Sequence, residues 1–452
     1  MRLDLPVLLS VVFAVAFVGC TRVSTTPQDT AWAALSGRPA LDSGGVRALA
    51  RFFKHLTTLG AAPEGTRLRV AHFGDSHTAA DLWTGQIRVA LQERFGDGGR
   101  GFLMFGRPWE GYWPQGAETG ATEGWTGSNA LDISAGGQEE GVYGLGGGAL
   151  CADEAGPEAW IILSAQDGPR VGSVYYTKSP GGGILELTIG DQDPVVLSTA
   201  AETPSLGVFA WHLDTSAPKA LRVRSGGDGP VCVLGATVER PRTGIVYDAM
   251  GLNGARMTHL REWDGWIGPM LRARDYHLVV ISYGTNEAVD AWLDLASYER
   301  AADAVLERVR SLTPGADCLL VGPPPSGDPM APAPRFQERL LPLIAIQKNL
   351  ARRHGCAYFD TLAWTGGPPV FVDWLDDPAA ILAQLDERFG LSTARTLRKR
   401  PTPPTLFQAD RIHFTVEGYQ ILGDLVADAL LRSWSAHLRG SAVEAMRRLL
   451  GR

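Results

Sequence analysis

Apolar positions along this chain follow two textures. From residue 46 to about 104, and again after 244, short apolar runs alternate with segments whose apolar residues recur every three or four positions. Val46, Leu49, Ala50, Phe53 and Leu56 keep helical spacing, which predicts an amphipathic helix ended by Gly60. Leu68 to Phe73 reads as a buried strand, followed by a helix marked by Ile87, Ala90, Leu91 and Phe95. In the second half, Gly244–Asp248, His277–Ser282, Cys318–Gly322 and Cys356–Asp360 read as strands, with helices over 298–312, 336–353 and 416–431. His277–Ser282 is almost continuously apolar, as a parallel strand buried on both faces must be. Residues 365–404 read as irregular, with one helix near 378–389. Strands that alternate with helices predict an α/β fold, a three-layer sandwich around a mostly parallel sheet of the flavodoxin-like kind.

Between 105 and 243 helical periodicity vanishes and Gly, Thr, Ser and aromatic residues dominate. Seven short strands are expected, at 159–164, 172–177, 184–190, 194–198, 208–213, 220–224 and 231–238. Turn clusters such as Ser179-Pro180-Gly181-Gly182 separate them. This texture predicts an inserted β-sandwich, jelly-roll-like and able to fold on its own. The expected layout is one α/β domain in two pieces, 46–104 and 244–440, around the 105–243 insert, with a tail over 441–452.

The N-terminus changes the picture of where the protein works. Arg2 precedes an apolar run from Leu5 to Val18, too short to span a bilayer and suited to a signal-peptide core. Phe-Val-Gly-Cys at 17–20 resembles the lipobox of bacterial lipoproteins, which implies cleavage after residue 19 and a lipid on Cys20. Thr21, where Asp would retain the protein at the inner membrane, favours the periplasmic face of the outer membrane or the cell surface. Residues 20–45 then read as a tether. With 42 Lys+Arg against 49 Asp+Glu the net charge is -7, which argues against nucleic acid as a partner. A monomer is expected. Cys151, Cys232, Cys318 and Cys356 remain in an exported chain. Disulfides 151–232 and 318–356 would each stay within one proposed domain, with buried free thiols as the alternative. The chain has no CxxC, HExxH or tight His/Cys cluster, so no metal and no cofactor is expected.

Four blocks carry the chemistry. Gly74-Asp75-Ser76-His77-Thr78 ends the first strand, Gly251-Leu252-Asn253-Gly254-Ala255 follows the short strand at 244, Gly284-Thr285-Asn286-Glu287 follows the strand at 277, and Asp410-Arg411-Ile412-His413 opens the last helix. In open α/β sheets ligands bind beyond the carboxyl ends of strands, so these loops can meet in one crevice. A serine hydroxyl needs an adjacent base. His413 can take its proton and later return it, while Asp410 fixes the ring. An oxyanion needs preorganised donors, and the Ser76 N–H, the Gly254 N–H and the Asn286 amide can supply three, with Gly251 the alternative glycine.

These blocks resemble the SGNH (GDSL-type) hydrolase superfamily, with Gly-Asp-Ser-His where the family usually reads Gly-Asp-Ser-Leu. Residues 74–81, the 105–243 insert, Tyr283–Glu287, His354–Asp360 and Asp410–Thr415 look most like bacterial peptidoglycan O-acetylesterases, which carry a carbohydrate-binding-module-like β insertion. The long 365–404 stretch and the lipid anchor depart from that pattern. The resemblance implies a serine esterase removing O-acetyl groups from an extracytoplasmic polysaccharide, most of all the 6-O-acetyl of N-acetylmuramic acid in peptidoglycan. A polysaccharide O-acetyltransferase using the same acetyl-enzyme is the alternative, and a non-catalytic, lipid-anchored glycan-binding protein the second. Beside the blocks, His77 is read as packing, His72 as a satisfied core histidine and Glu287 as a solvated or supporting carboxylate. Trp109, Tyr112, Trp113 and Trp125 are either sugar-stacking faces or a seam between domains. Arg398, Lys399 and Arg400 read as a solvated charge run.

Overall fold

The computed structural model describes residues 41, 43–131, 142–163, 168–214, 220–261 and 266–449. The signal segment, Cys20 and most of the expected tether lie outside them. No helix among the described residues is long and apolar enough to cross a membrane.

Five strands form the central sheet: β1 (Arg67–Gly74), β2 (Gly244–Gly251), β3 (Leu278–Ser282), β4 (Asp317–Val321) and β5 (Ala357–Phe359). They lie in the order β2-β1-β3-β4-β5, and every pairing is parallel. Successive side chains of a strand point to opposite faces, and the sequence uses both. Leu68 and Val70 join one apolar cluster with the helices Ala50–Thr58, Leu82–Phe95 and Val416–Leu449. Ala71 and Phe73 join another with Ile267–Arg274, Leu295–Leu312 and Leu340–Arg353.

The region between β1 and β2 forms two antiparallel sheets that share one apolar core. All seven expected strands are present there, at nearly the expected bounds. Three more were not expected: Ala117–Ala121, Thr126–Asn129 and Gly148–Ala152. The sheet also begins earlier than residue 105, because Gly99–Leu103 pairs with Val231–Glu239. Phe102, Met104, Tyr112, Tyr175 and Leu234 continue the cluster that covers β1, so an apolar seam joins the insert to the α/β layers. A buried ion network fastens the same seam. Glu239 accepts from Arg69 at 2.9 Å and from Arg274, which also reaches Asp248 at 2.6 Å. Burial alone would raise the Glu239 carboxyl, but the Arg274 and Arg69 guanidiniums hold it down near 2.

Three expectations are corrected. Residues 361–397 are largely helical, with Phe371–Asp376 and Ser392–Leu397 flanking the expected helix at Pro378–Phe389. Phe371 and Trp374 sit three apart and are fully buried, which is what fixes the first of these. The last helix runs to Leu449, so 441–449 is not a tail. The chain is packed by residue 41, ahead of the expected tether end: Leu41 is buried and its N–H donates to Ser433 Oγ at 3.3 Å. The disulfides Cys151–Cys232 and Cys318–Cys356 are both formed, not the free thiols that were the alternative.

Candidate active site

Sheet order places the first three blocks side by side. Gly74 of β1 is in register with Gly251 of β2 on one side and Ser282 of β3 on the other. The chain leaves β1 toward β2 and returns as β3, so the crevice at these ends is the topological switch point of the sheet. Block one continues from Gly74, block two starts at Gly251 and block three starts two residues after Ser282.

Ser76 is the first residue of a single-turn helix, Ser76–Ala79. Asp75 caps it, accepting from the His77 N–H at 3.0 Å. Close approach to block two fixes this turn: a Cβ on Gly251 would collide with the Ala79 backbone nitrogen. Leu252 N–H in turn donates to Gly74 O at 3.0 Å.

The fourth block comes from the opposite end of the chain. Ser76 Oγ and His413 Nε2 are 2.8 Å apart, and His413 Nδ1 meets Asp410 Oδ2 at 2.6 Å. Asp410 also accepts the Ile412 and His413 N–H groups, each at 2.9 Å, on its other oxygen. Burial pushes the Asp410 carboxyl upward, but the His413 ring and these two N–H groups prevail and keep it below its usual range. The turn that permits this puts Arg411 at φ 62, a left-handed conformation costing a non-glycine residue about 1–2 kcal/mol. Gly327 N–H holds it there, donating to Arg411 O at 2.7 Å. A hydroxyl, an imidazole and an ionised carboxylate in this sequence can move a proton from the oxygen to the ring and stabilise the cation formed.

Asn286 joins blocks two and three. Its Nδ2 donates to Ala255 O at 2.9 Å, next to Gly254. Gly254 has φ 78 and open space around it: an added Cβ would meet nothing nearer than Leu131 Cδ1 at 3.5 Å. Of the two candidate glycines, Gly251 is packed under the Ser76 turn and Gly254 faces outward.

Behind the turn lies a layer of buried polar groups. His77 Nδ1 shares a hydrogen bond with Tyr419 Oη at 2.9 Å, and its ring centroid is 5.4 Å from that of His413. Burial and the nearby His413 lower His77 to about 3, so it is neutral packing, as expected. His72 is also a satisfied core histidine, between Tyr247 Oη at 2.7 Å and Ser282 Oγ at 2.8 Å. Glu287 is not solvated: it is fully buried and accepts from Met257 N–H at 2.8 Å. Burial raises it to about 7, against that hydrogen bond. Burial, with the Glu287 charge adding to it, raises Asp75 to about 8. Tyr419 was missed, and nothing in its spacing from His77 announces it.

The four aromatic residues divide. Tyr112 is buried in the seam, and Trp125 packs against the core of the insert. Trp109 stays near the site, its indole N–H donating to Asn253 Oδ1 at 3.1 Å. Trp113 is half exposed, with the Arg107 guanidinium 3.7 Å from its ring centroid. Arg400 of the expected charge run pairs with Glu417, and Arg398 with Asp386.

Residues 225–421 match the GDSL-like Lipase/Acylhydrolase family. That segment holds blocks two to four but not Ser76, which lies ahead of the insert. No curated protein matches the chain. Among solved structures, a peptidoglycan O-acetylesterase aligns with a TM-score of 0.66 at 21% identity, over 85% of this chain and 96% of that one. A family two carbohydrate esterase from Cellvibrio japonicus aligns at 10% identity over 52% of this chain and 86% of that one, with a TM-score of 0.20. The first likeness supports the fold.

Proposed function

We propose, starting from the GDSL/SGNH acylhydrolase domain that this chain carries, that it is a serine esterase removing O-acetyl groups from an extracytoplasmic polysaccharide. Peptidoglycan acetylated on the 6-hydroxyl of N-acetylmuramic acid is its substrate. The observation that carries the reading is the unbroken hydrogen-bond chain Ser76–His413–Asp410, assembled from residues more than 300 positions apart. The fold likeness to a peptidoglycan O-acetylesterase, over 85% of this chain, supports the substrate class.

In this mechanism Ser76 Oγ attacks the acetyl carbonyl carbon while His413 Nε2 takes its proton. Asp410, ionised because its carboxyl is held low, orients the ring through Nδ1 and stabilises the imidazolium. Negative charge on the carbonyl oxygen falls among the Ser76 N–H, the Gly254 N–H and the second amide hydrogen of Asn286. The tetrahedral intermediate expels the sugar oxygen, which takes the proton from His413 and leaves as the alcohol. Water then attacks the acetyl-Ser76 ester with His413 again as base, and acetate departs as Ser76 Oγ regains its proton. Gly254 has the open surroundings an oxyanion donor needs. Asn286, tied to Ala255 O, holds that loop against block three.

The N-terminal segment adds the location. Signal cleavage before Cys20 and lipidation of that residue would tether the enzyme to the periplasmic face of the outer membrane. The β insert holds glycan near the crevice. The test is acetate release from O-acetylated peptidoglycan, with acetylated xylan as the comparison substrate. The reading requires release from peptidoglycan and its loss in Ser76→Ala. Equal release by the parent and Ser76→Ala, or preference for xylan, defeats it.

A further inference from the structure

The loop that follows block three leaves an indole in water. Trp292 is 94% exposed, although a tryptophan has more apolar surface to gain by burial than almost any other side chain. Its neighbours turn inward: Leu293 and Leu295 pack against the apolar cluster on one face of the sheet. The backbone under Trp292 is firmly held. Leu293 N–H closes a turn on Asp290 O at 3.2 Å, and Trp292 N–H donates to Asp290 Oδ1 at 3.0 Å. The Arg339 guanidinium donates to the carbonyls on either side, Ala291 O at 3.4 Å and Leu293 O at 3.1 Å.

The same loop is tied to the crevice. Asp290 Oδ2 accepts from Arg256 Nη1 at 2.7 Å, and Arg256 lies two residues after Gly254. Asn286, six residues before Trp292, donates its Nδ2 to Ala255 O at 2.9 Å. Thr285 lines one small buried space together with Asp75 and His77, the residues on either side of Ser76. From Thr285 the chain makes the short helix Thr285–Val289 and then the turn at Asp290. The Trp292 Cα therefore lies within about 17 Å of that of Thr285. On the other side of Gly254 in sequence, Trp109 donates its indole N–H to Asn253 Oδ1 at 3.1 Å. The stretch from Asn253 to Arg256 is thus joined to one tryptophan directly and to a second through Asp290.

We infer that Trp292 is the platform of a glycan subsite for a neutral pyranose with equatorial ring substituents, in the same strand as the acetylated sugar. The inference rests on the proposed function and adds that the enzyme grips a stretch of glycan, not one acetylated sugar alone. Such a ring has polar edges and faces made of axial C–H groups, which carry partial positive charge. An indole is its complement: a flat apolar face with negative charge above the ring, and an N–H that can donate to a hydroxyl at the sugar's edge. N-Acetylglucosamine in β-1,4 linkage is a sugar of this kind, and it alternates with N-acetylmuramic acid in peptidoglycan. A protein or a bilayer would require a contiguous apolar patch. Here a single aromatic face stands between Asp290 and Asp294 in the chain, with the Arg339 guanidinium at its backbone. The braced turn matters because a platform already fixed in place loses little freedom when the sugar arrives.

The test is calorimetric titration of the full chain, as parent, Trp292→Ala and Trp292→Phe, with the β-1,4-linked N-acetylglucosamine tetrasaccharide, a probe that carries no O-acetyl ester. Trp292→Ala should bind at least about tenfold more weakly, at an unchanged melting temperature because the indole is almost wholly in solvent. Trp292→Phe, which keeps a flat ring, should stay within about threefold of the parent. No measurable binding by the parent, equal affinity in Trp292→Ala, or a loss in Trp292→Phe as large as in Trp292→Ala overturns the subsite. Trp292-dependent self-association in analytical ultracentrifugation, with sugar affinity unchanged, gives the face to a second copy and overturns it too. Titration needs no ester cleavage. A chain that binds the tetrasaccharide through Trp292 yet releases no acetate sinks the esterase reading alone. Ser76-dependent acetate release with sugar binding indifferent to Trp292 sinks the subsite alone.

Discussion

Replacing Glu287 by glutamine tests whether the layer behind Ser76 is as dry as its geometry says. Glu287 is fully buried, with Oε1 on the Met257 N–H and no partner for Oε2 among the described residues. Its carboxyl titrates near 7, against 4.5 for an ordinary glutamate. The folded state thus holds a proton that the unfolded chain gives up, and stability present below about pH 4.5 is lost as pH rises toward 7. At 1.36 kcal/mol per pKa unit the loss is about 3 kcal/mol. The substituted amide would keep the acceptor for Met257, place an NH2 where the neutral acid has its OH, and never ionise. Unfolding free energies from denaturant titrations between about pH 5 and about pH 8 should therefore fall more steeply in the parent than in Glu287→Gln, by about 2.5 kcal/mol across the range. Asp75, raised to about 8, titrates in both proteins. Losing the Glu287 charge also lets Asp75 ionise somewhat more easily, which flattens the variant further. Parallel curves would mean that Glu287 is ionised throughout, and the account of a low-dielectric layer under Ser76 would be wrong.

Other consequences are simpler to read. Asp410→Asn should lower kcat/KM on p-nitrophenyl acetate about a thousandfold or more, and Ser76→Ala should abolish the enzymatic rate; an Asp410→Asn variant within about tenfold of the parent would remove the carboxylate from the mechanism. Gly254→Ala should stay folded with about 1 kcal/mol of backbone strain at φ 78 yet lose kcat, because the shifted N–H leaves the oxyanion. Gly251→Ala, whose Cβ would run into the Ala79 backbone nitrogen, should instead show a lowered melting temperature. The reverse pattern would exchange the roles of the two glycines. Removing the Cys318–Cys356 disulfide, which closes a 38-residue separation, should cost about 4 kcal/mol by chain entropy, measured by chemical denaturation of the double alanine variant. A loss under about 1 kcal/mol would refute that account.

What the sequence reveals here follows from how each feature is encoded. The strands of the central sheet stood out because both of their faces are buried, and a run such as Leu-Val-Val-Ile at 278–281 has no other good home. The hydrogen-bonded set Ser76, His413 and Asp410 was legible because each lies at a strand end or helix start, where chain direction fixes its neighbourhood. Register then does the rest: Gly74 faces both Gly251 and Ser282, so three loops must share one rim. Features with weak local signatures were lost. Ala-Glu-Thr-Gly-Ala at 117–121 and Thr-Gly-Ser-Asn at 126–129 carry almost no β-branched or aromatic residues and become strands through their partners. Phe371 and Trp374 did carry a readable i, i+3 signal, overlooked among the prolines and glycines around it.

Charge was the hardest to read, because its environment comes from distant parts of the chain. Glu287 follows Asn286 directly, and on sequence grounds either could face water. The structure separates them: Asn286 ties its amide to the Gly254 loop, while Glu287 turns inward under Met257. Asp81 presents the same problem beside the insert, where it takes the Arg88 and Arg100 guanidiniums on one buried carboxylate. In each case the residue type is ordinary and its solvation is not, and solvation is set by elements up to hundreds of residues away. Ser76, His413 and Asp410 could therefore be picked out as candidates from local rules, whereas the buried groups around them emerge from packing between elements far apart in the chain.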